Sequence, residues 1–171
     1  MNLAAKAFLC IAVLLIGAVC AQAQGAGVSM MVPMGRGGDA ISSDGTDPKT
    51  WDPKLDAPVA APASHKIIYE DDDVRVLYVT IAPGQTEPKH HHKWPSILVV
   101  LDGSMKGESI DANGHATPSG PLPPDLVLPV VVRGAPEGLH ANKNTDPTKP
   151  MRLIRIEFKH GFPKNPNAPA S

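Results

Sequence analysis

The sequence predicts an all-β domain, a small barrel or sandwich, behind an N-terminal export signal and a leader. Three observations carry this. Short runs rich in β-branched and aromatic residues recur after residue 64, separated by Gly, Pro, Asp and Asn. No amphipathic helical period of useful length occurs in that region. The first twenty residues are apolar and end in a small-residue pattern.

Met1–Lys6 gives a short basic start, and Ala7–Val19 is an uncharged apolar run. Ala21-Gln22-Ala23 then supplies small residues where a signal peptidase reads. The apolar run is short for a membrane-spanning helix. Residues 1–23 are therefore expected to be a cleaved signal peptide, which places the protein outside the cytoplasm, secreted or periplasmic. Retention as an anchor is the rival, as is lipidation at Cys20, for which Gly17-Ala18-Val19 is a poor context. Both cysteines, Cys10 and Cys20, leave with the signal. The mature chain then has neither a disulfide nor a thiol ligand.

Residues 24–64 are expected to form a flexible leader. They mix Met30-Met31-Val32-Pro33-Met34 with Gly35-Arg36-Gly37-Gly38, Pro48, Pro53, Pro58 and Pro62. Little apolar surface is available there to offset the entropy of ordering. The alternative is an arm packed on the barrel or on a second subunit, with Trp51 as its anchor.

The barrel is expected over 65–160, followed by a tail at 161–171. Lys66–Tyr69, Val74–Ile81, Ser96–Leu101, Met105–Ile110, Leu126–Val132 and Met151–Phe158 read as strands. Asp102-Gly103 marks a hairpin turn. Ala116–Asp125, with its prolines, reads as a loop, and Gly134–Asn144 as a turn-rich link. Pro129 suits an edge or a bulge.

Charge excludes more than it suggests. The chain carries 16 basic and 17 acidic residues. Lys6 is the one charged side chain in 1–23, so the mature chain has 15 and 17. With no basic stripe and few aromatics, nucleic-acid binding is not expected. Beyond the signal nothing is apolar enough to span a membrane.

Chemistry concentrates in the histidines, seven in all. His90, His91 and His92 are consecutive, so in an extended segment His90 and His92 share one face and His91 takes the other. Imidazole binds Zn, Cu, Fe and Ni. A third ligand must come from elsewhere, and His140 in Gly138-Leu139-His140 is the candidate. The plainer alternative is a solvated basic patch with Lys89 and Lys93. His115 and His160 read as surface residues, His65 as structural, Trp94 as packed, and Met105 and Met151 as core.

Gly84 to Gly103 reads G-Q-T-E-P-K-H-H-H-K-W-P-S-I-L-V-V-L-D-G. It resembles the first cupin motif, G-x5-H-x-H-x3,4-E-x6-G, at every marked position except Ser96, which stands where the family has Glu. Pro136–Asn144 resembles the second motif, P-x-G-x2-H-x3-N, with one residue fewer between Gly and His. The resemblance implies a cupin-type jelly-roll barrel with a divalent transition metal (Fe, Zn, Mn, Ni or Cu) on His90, His92 and His140. Barrels of this type commonly pair, which implies a homodimer.

Serine is a poor ligand, so this set becomes three neutral imidazoles, with Glu87 and Glu108 as unplaced carboxylates. Such a site leaves the dication uncompensated and favours hydroxide or an anionic small molecule. An oxygenase, isomerase or hydrolase acting on a small molecule would fit. A non-catalytic ligand-binding or interaction barrel that has lost the metal is the alternative.

Overall fold

Alternation decides the longest strand. In Val74–Ile81 every second residue is buried, and the inward set is Arg75, Leu77, Val79 and Ile81. A period of two with β-branched residues is what a half-buried sheet surface selects. The computed structural model describes residues 42–102, 105–123 and 125–164. The expected signal peptide, the first part of the leader, Gly103 and most of the tail lie outside them. Among the described residues, no helix is long and apolar enough to cross a membrane.

The strands are β1 (His65–Glu70), β2 (Val74–Ile81), β3 (His90–His92), β4 (Ser96–Asp102), β5 (Gly107–Ile110), β6 (Ala116–Ser119), β7 (Val130–Gly134), β8 (Glu137–Asn144) and β9 (Met151–Phe158). They form two antiparallel sheets, ordered β1-β2-β9-β4-β7 and β3-β8-β5-β6. Strands β2 and β9 lie side by side although they stand near opposite ends of the barrel sequence, the crossing pattern of a jelly roll.

Three expectations need correction. Ala116–Ser119 is a strand, not a loop, because as an edge strand paired to β5 alone it tolerates Pro118. Glu137–Asn144 is a full strand rather than a link, pairing with both β3 and β5. The strand expected from Leu126 begins only at Val130, after Pro129; proline has no N–H to give the ladder.

The leader is also different from expectation where it is described. Residues 48–61 are folded onto the barrel. Asp47-Pro48 and Asp52-Pro53 each start a 3-10 turn, Pro48–Thr50 and Pro53–Leu55, with the aspartate capping the turn. A single helical turn, α1 (Ala57–Ala60), follows. These prolines sit at helix starts, where their fixed φ helps rather than breaks. Ala57 and Ala61 are fully buried, Asp56 bridges to His91, and the Trp51 ring lies 5.0 Å from the His91 ring. Ser43 donates to Pro136 O, which seats the 42–46 turn over Gly138. In the tail, Phe162 stacks on Phe158 under Arg133.

Candidate metal centre

Register builds the site. β3 and β8 pair with His90 opposite His140 and His92 opposite Glu137. His91 of β3 therefore faces two residues of β8, Gly138 and Leu139, which is a bulge. In a regular strand Glu137 and His140, three apart, would point to opposite faces. The extra residue brings both to the barrel interior, where they line one cavity with His92.

His90, His92 and His140 converge, with ring centres 5.1 Å (90–92), 4.6 Å (90–140) and 5.7 Å (92–140) apart. His65 joins them. It opens β1 opposite inward-facing Val79, and its ring lies 4.5 Å from His90 and 5.1 Å from His92. Ligating atoms of His65, His90 and His92 lie within 4.8 Å of one another, as do those of His92, Glu137 and His140. The sequence reading assigned His65 a structural role. Its signal was the inward register of the first strand residue, which needs the partner strand to be read.

Each motif histidine is tethered through Nδ1. His90 Nδ1 is 2.9 Å from Pro88 O, His140 Nδ1 is 2.8 Å from Gly138 O, and His92 Nδ1 is 2.8 Å from Glu157 Oε1. With Nδ1 carrying the proton toward those oxygens, each Nε2 keeps a free lone pair. His90 Nε2 is buried with no hydrogen-bond partner. An orphaned buried acceptor costs on the order of 1–3 kcal/mol unless something fills it. An outer acceptor on Nδ1 and an open Nε2 are what metal-binding histidines show. The donor set thus fits a borderline divalent transition metal.

Electrostatics keep the imidazoles neutral. Burial, with His90 and Arg155 nearby, pushes His65 down to about 2. Burial and His140 push His90 down to about 4, and burial with Arg155 holds His92 well below its usual value. A neutral imidazole is the ligating form.

Opposite Ser96, the next strand supplies a buried carboxylate that backs His92 rather than joining the ligand clusters. Ser96, Glu157 and Arg75 lie in one cross-strand row, and Gly134 pairs with Ser96 on the far side. Small residues at 96 and 134 leave that row to Glu157 and Arg75. Glu157 is fully buried and accepts from His92 and from Arg75 Nε (2.6 Å). Burial raises the Glu157 carboxyl even though Arg155 and Arg75 oppose the rise. Arg75 also grips Asp56 through both terminal nitrogens, at 2.5 and 2.9 Å. Arg155 pairs with Glu137 and lies 3.4 Å from Glu157. Burial works against the Glu137 carboxylate, but Arg155 prevails and holds it below the usual range.

The remaining candidates fall elsewhere. Glu87 is buried 3.5 Å from His65 Nδ1, and burial pushes it up to about 7. Ser64 and Asn142 approach the Glu87 carboxyl and oppose that rise, while His65 Nδ1 has no hydrogen-bond partner. Glu108 pairs with Lys143 at 3.2 Å and lines the cavity without joining either ligand cluster. His91 faces away from the cavity and meets Asp52 O at 2.8 Å under the folded arm. His115 and His160 are exposed. Trp94 packs against Arg75 and Lys93. Asn144 is structural: it donates to Ile81 O and Lys149 O.

Beside the histidines lies a cavity of about 370 Å³. Val79, Leu98, Val100, Val130, Met151 and Leu153 are among the apolar side chains of its wall, and Arg155 and Glu137 line it with His92 and His140. That volume is in the range of small-molecule sites, roughly 300–1,000 Å³.

No family model and no curated protein matches the sequence. Among solved structures, the chain is similar to a cupin domain from Bordetella pertussis Tohama I, at 18% identity and TM-score 0.46 over 56% of this chain and 91% of that one. It is also similar to a conserved protein with a double-stranded β-helix domain from Klebsiella pneumoniae, at 20% identity and TM-score 0.41 over 56% and 76%. A third is the polyketide cyclase RemF from Streptomyces resistomycificus, at 18% identity and TM-score 0.39 over 58% and 66%. By its own strand order the chain is a two-sheet antiparallel jelly-roll barrel, in which the two segments that resemble the cupin motifs meet on the paired strands β3 and β8.

Proposed function

We propose that this is an exported barrel that holds one divalent transition metal on His90, His92 and His140 and acts on a small, largely apolar molecule. The observation that carries the reading is the tethering of all three rings through Nδ1, with His90 Nε2 buried and unpartnered. When bound, the metal would supply Lewis-acid polarisation of an oxygen donor on the ligand.

The chain's own groups do the rest. The aliphatic wall excludes water and selects an apolar body. Arg155 at the histidine side favours an anionic or oxygen-rich head group next to the imidazoles. Glu137, held ionised by Arg155, stands beside that head group and can accept a hydrogen bond from it. An oxygenase, an isomerase or a hydrolase would use this arrangement.

A metal-free ligand-binding barrel is the second reading. Its support is the Arg155 guanidinium, whose positive charge faces His65, His90 and His92. Elemental mass spectrometry on the untagged protein separates the two. About one metal per chain, lost in a His90→Ala/His140→Ala variant, supports the first. Absence of metal from both aerobic and anaerobic preparations refutes it.

A further inference from the structure

His65 lies outside both motifs, yet its geometry is that of a motif histidine. A metal about 2.0–2.1 Å from an imidazole nitrogen lies about 3.2 Å from the ring centre. Two rings on one tetrahedral ion then stand about 5.2 Å apart, and two at a right angle about 4.5 Å. The motif pairs span 4.6–5.7 Å. His65 stands 4.5 Å from His90 and 5.1 Å from His92. On this measure it shares a centre with His90 and His92.

Its surroundings agree. His65 Nδ1 is buried and without a hydrogen-bond partner, and it faces Glu87 Oε1 at 3.5 Å. Glu87 is 4% exposed and makes no hydrogen bond of full geometry, although Ser64 and Asn142 approach its carboxyl closely enough to favour the charged form. A buried carboxylate and a buried imidazole set side by side but not joined are both costly as they stand. A cation on Nε2 would resolve both, because it makes Nδ1–H a stronger donor toward the carboxylate. The competing donor, Glu137, is already engaged by Arg155.

We propose that His65 is the fourth imidazole of the centre and that Glu87 is the acceptor for its Nδ1–H, so that four histidines bind the cation while Glu137 stays with Arg155. This rests on the metal reading above and adds to it a ligand from β1 and a buried carboxylate behind it.

The test is a copper(II) and cobalt(II) titration of the metal-stripped, untagged protein. Pulsed electron paramagnetic resonance counts coordinated imidazoles on copper, and visible absorption follows cobalt. Four imidazoles are expected in the wild type and three in His65→Gln, with cobalt affinity reduced at least about tenfold. Glu87→Gln should keep all four while weakening affinity about tenfold, the low end for an outer acceptor. That variant leaves the ligands in place and guards against a His65 variant that fails to fold. Glu137→Gln should change neither count nor affinity. An unchanged imidazole count in His65→Gln overturns the proposal, as does a loss of affinity confined to Glu137→Gln. If binding is lost in His92→Ala but intact in His65→Gln, this inference fails and the three-histidine reading stands. If the wild type takes up neither ion, both fail.

Discussion

Replacing Arg75 with methionine removes the cation that holds three parts of the molecule together. Arg75 is 3% exposed and joins Asp56 of the arm to Glu157, which in turn orients His92. Methionine keeps the stem's packing but leaves Glu157 with only Arg155 and Asp56 with no cation on it. Removing one partner of a buried pair costs about 3–5 kcal/mol. For a domain of this size that is a large share of about 5–15 kcal/mol. At roughly 4 °C per kcal/mol the midpoint should fall about 12–20 °C.

Part of that loss should be recovered by protonating Glu157, whose carboxyl is already raised by burial. The defect should therefore be smaller at pH 5 than at pH 8. Adding Glu157→Gln to Arg75→Met should cost less than the sum of the two single changes, because they share one network. The assay is urea unfolding followed by circular dichroism, with Trp51 fluorescence reporting on the arm. A loss below about 1 kcal/mol would mean that the network contributes no more than surface pairs do. Strict additivity of the double variant would refute the coupling outright.

The metal-free protein should lose stability on acidification from pH 6.5. His65 and His90 titrate at about 2 and about 4 when folded, against 6.5 unfolded, so the unfolded chain binds more protons across that window and stability rises with pH there. Glu87, raised from 4.5 to about 7, works in the opposite sense between those values, so Glu87→Gln should steepen the decline between pH 6.5 and 4.5. Unfolding midpoints across pH 4–8 check both signs, and a flat profile would contradict them. Gly107→Ala should also destabilise, by at least about 1–3 kcal/mol. A methyl there would lie 2.4 Å from Lys143 O and 2.6 Å from Met151 Cε, and β8 backbone cannot step aside as a side-chain tip can. Wild-type-like melting of that variant would show that β5 and β8 are less closely joined than described.

Much of the barrel was legible because alternation survives in the long strands: β2, β4 and β9 appear where period and composition put them. What alternation does not give is the face. In β9 the apolar set Ile154, Ile156 and Phe158 is only half-buried, while Arg155 and Glu157 point inward. Charges can face inward there because each finds a partner on a neighbouring strand, and such partners are far away in sequence. The same reason hid His65 and Glu137. The motif histidines were readable because their spacing is local, and His140 met His90 because β3 and β8 are adjacent. The arm was misread because Asp-Pro pairs break regular structure in the middle of an element but begin turns at its edge.

The bulge opposite His91 has an effect that no side-chain replacement can reproduce. Three apart on β8, Glu137 and His140 share the interior only because the bulge absorbs the odd residue between them. Deleting Leu139 would put them two apart, which a regular strand holds on one face, so both side chains would stay inside while the bulge disappeared. The extra residue therefore sets the separation and the local twist of these two groups rather than the face each takes, a property that comparing residue identities alone does not read.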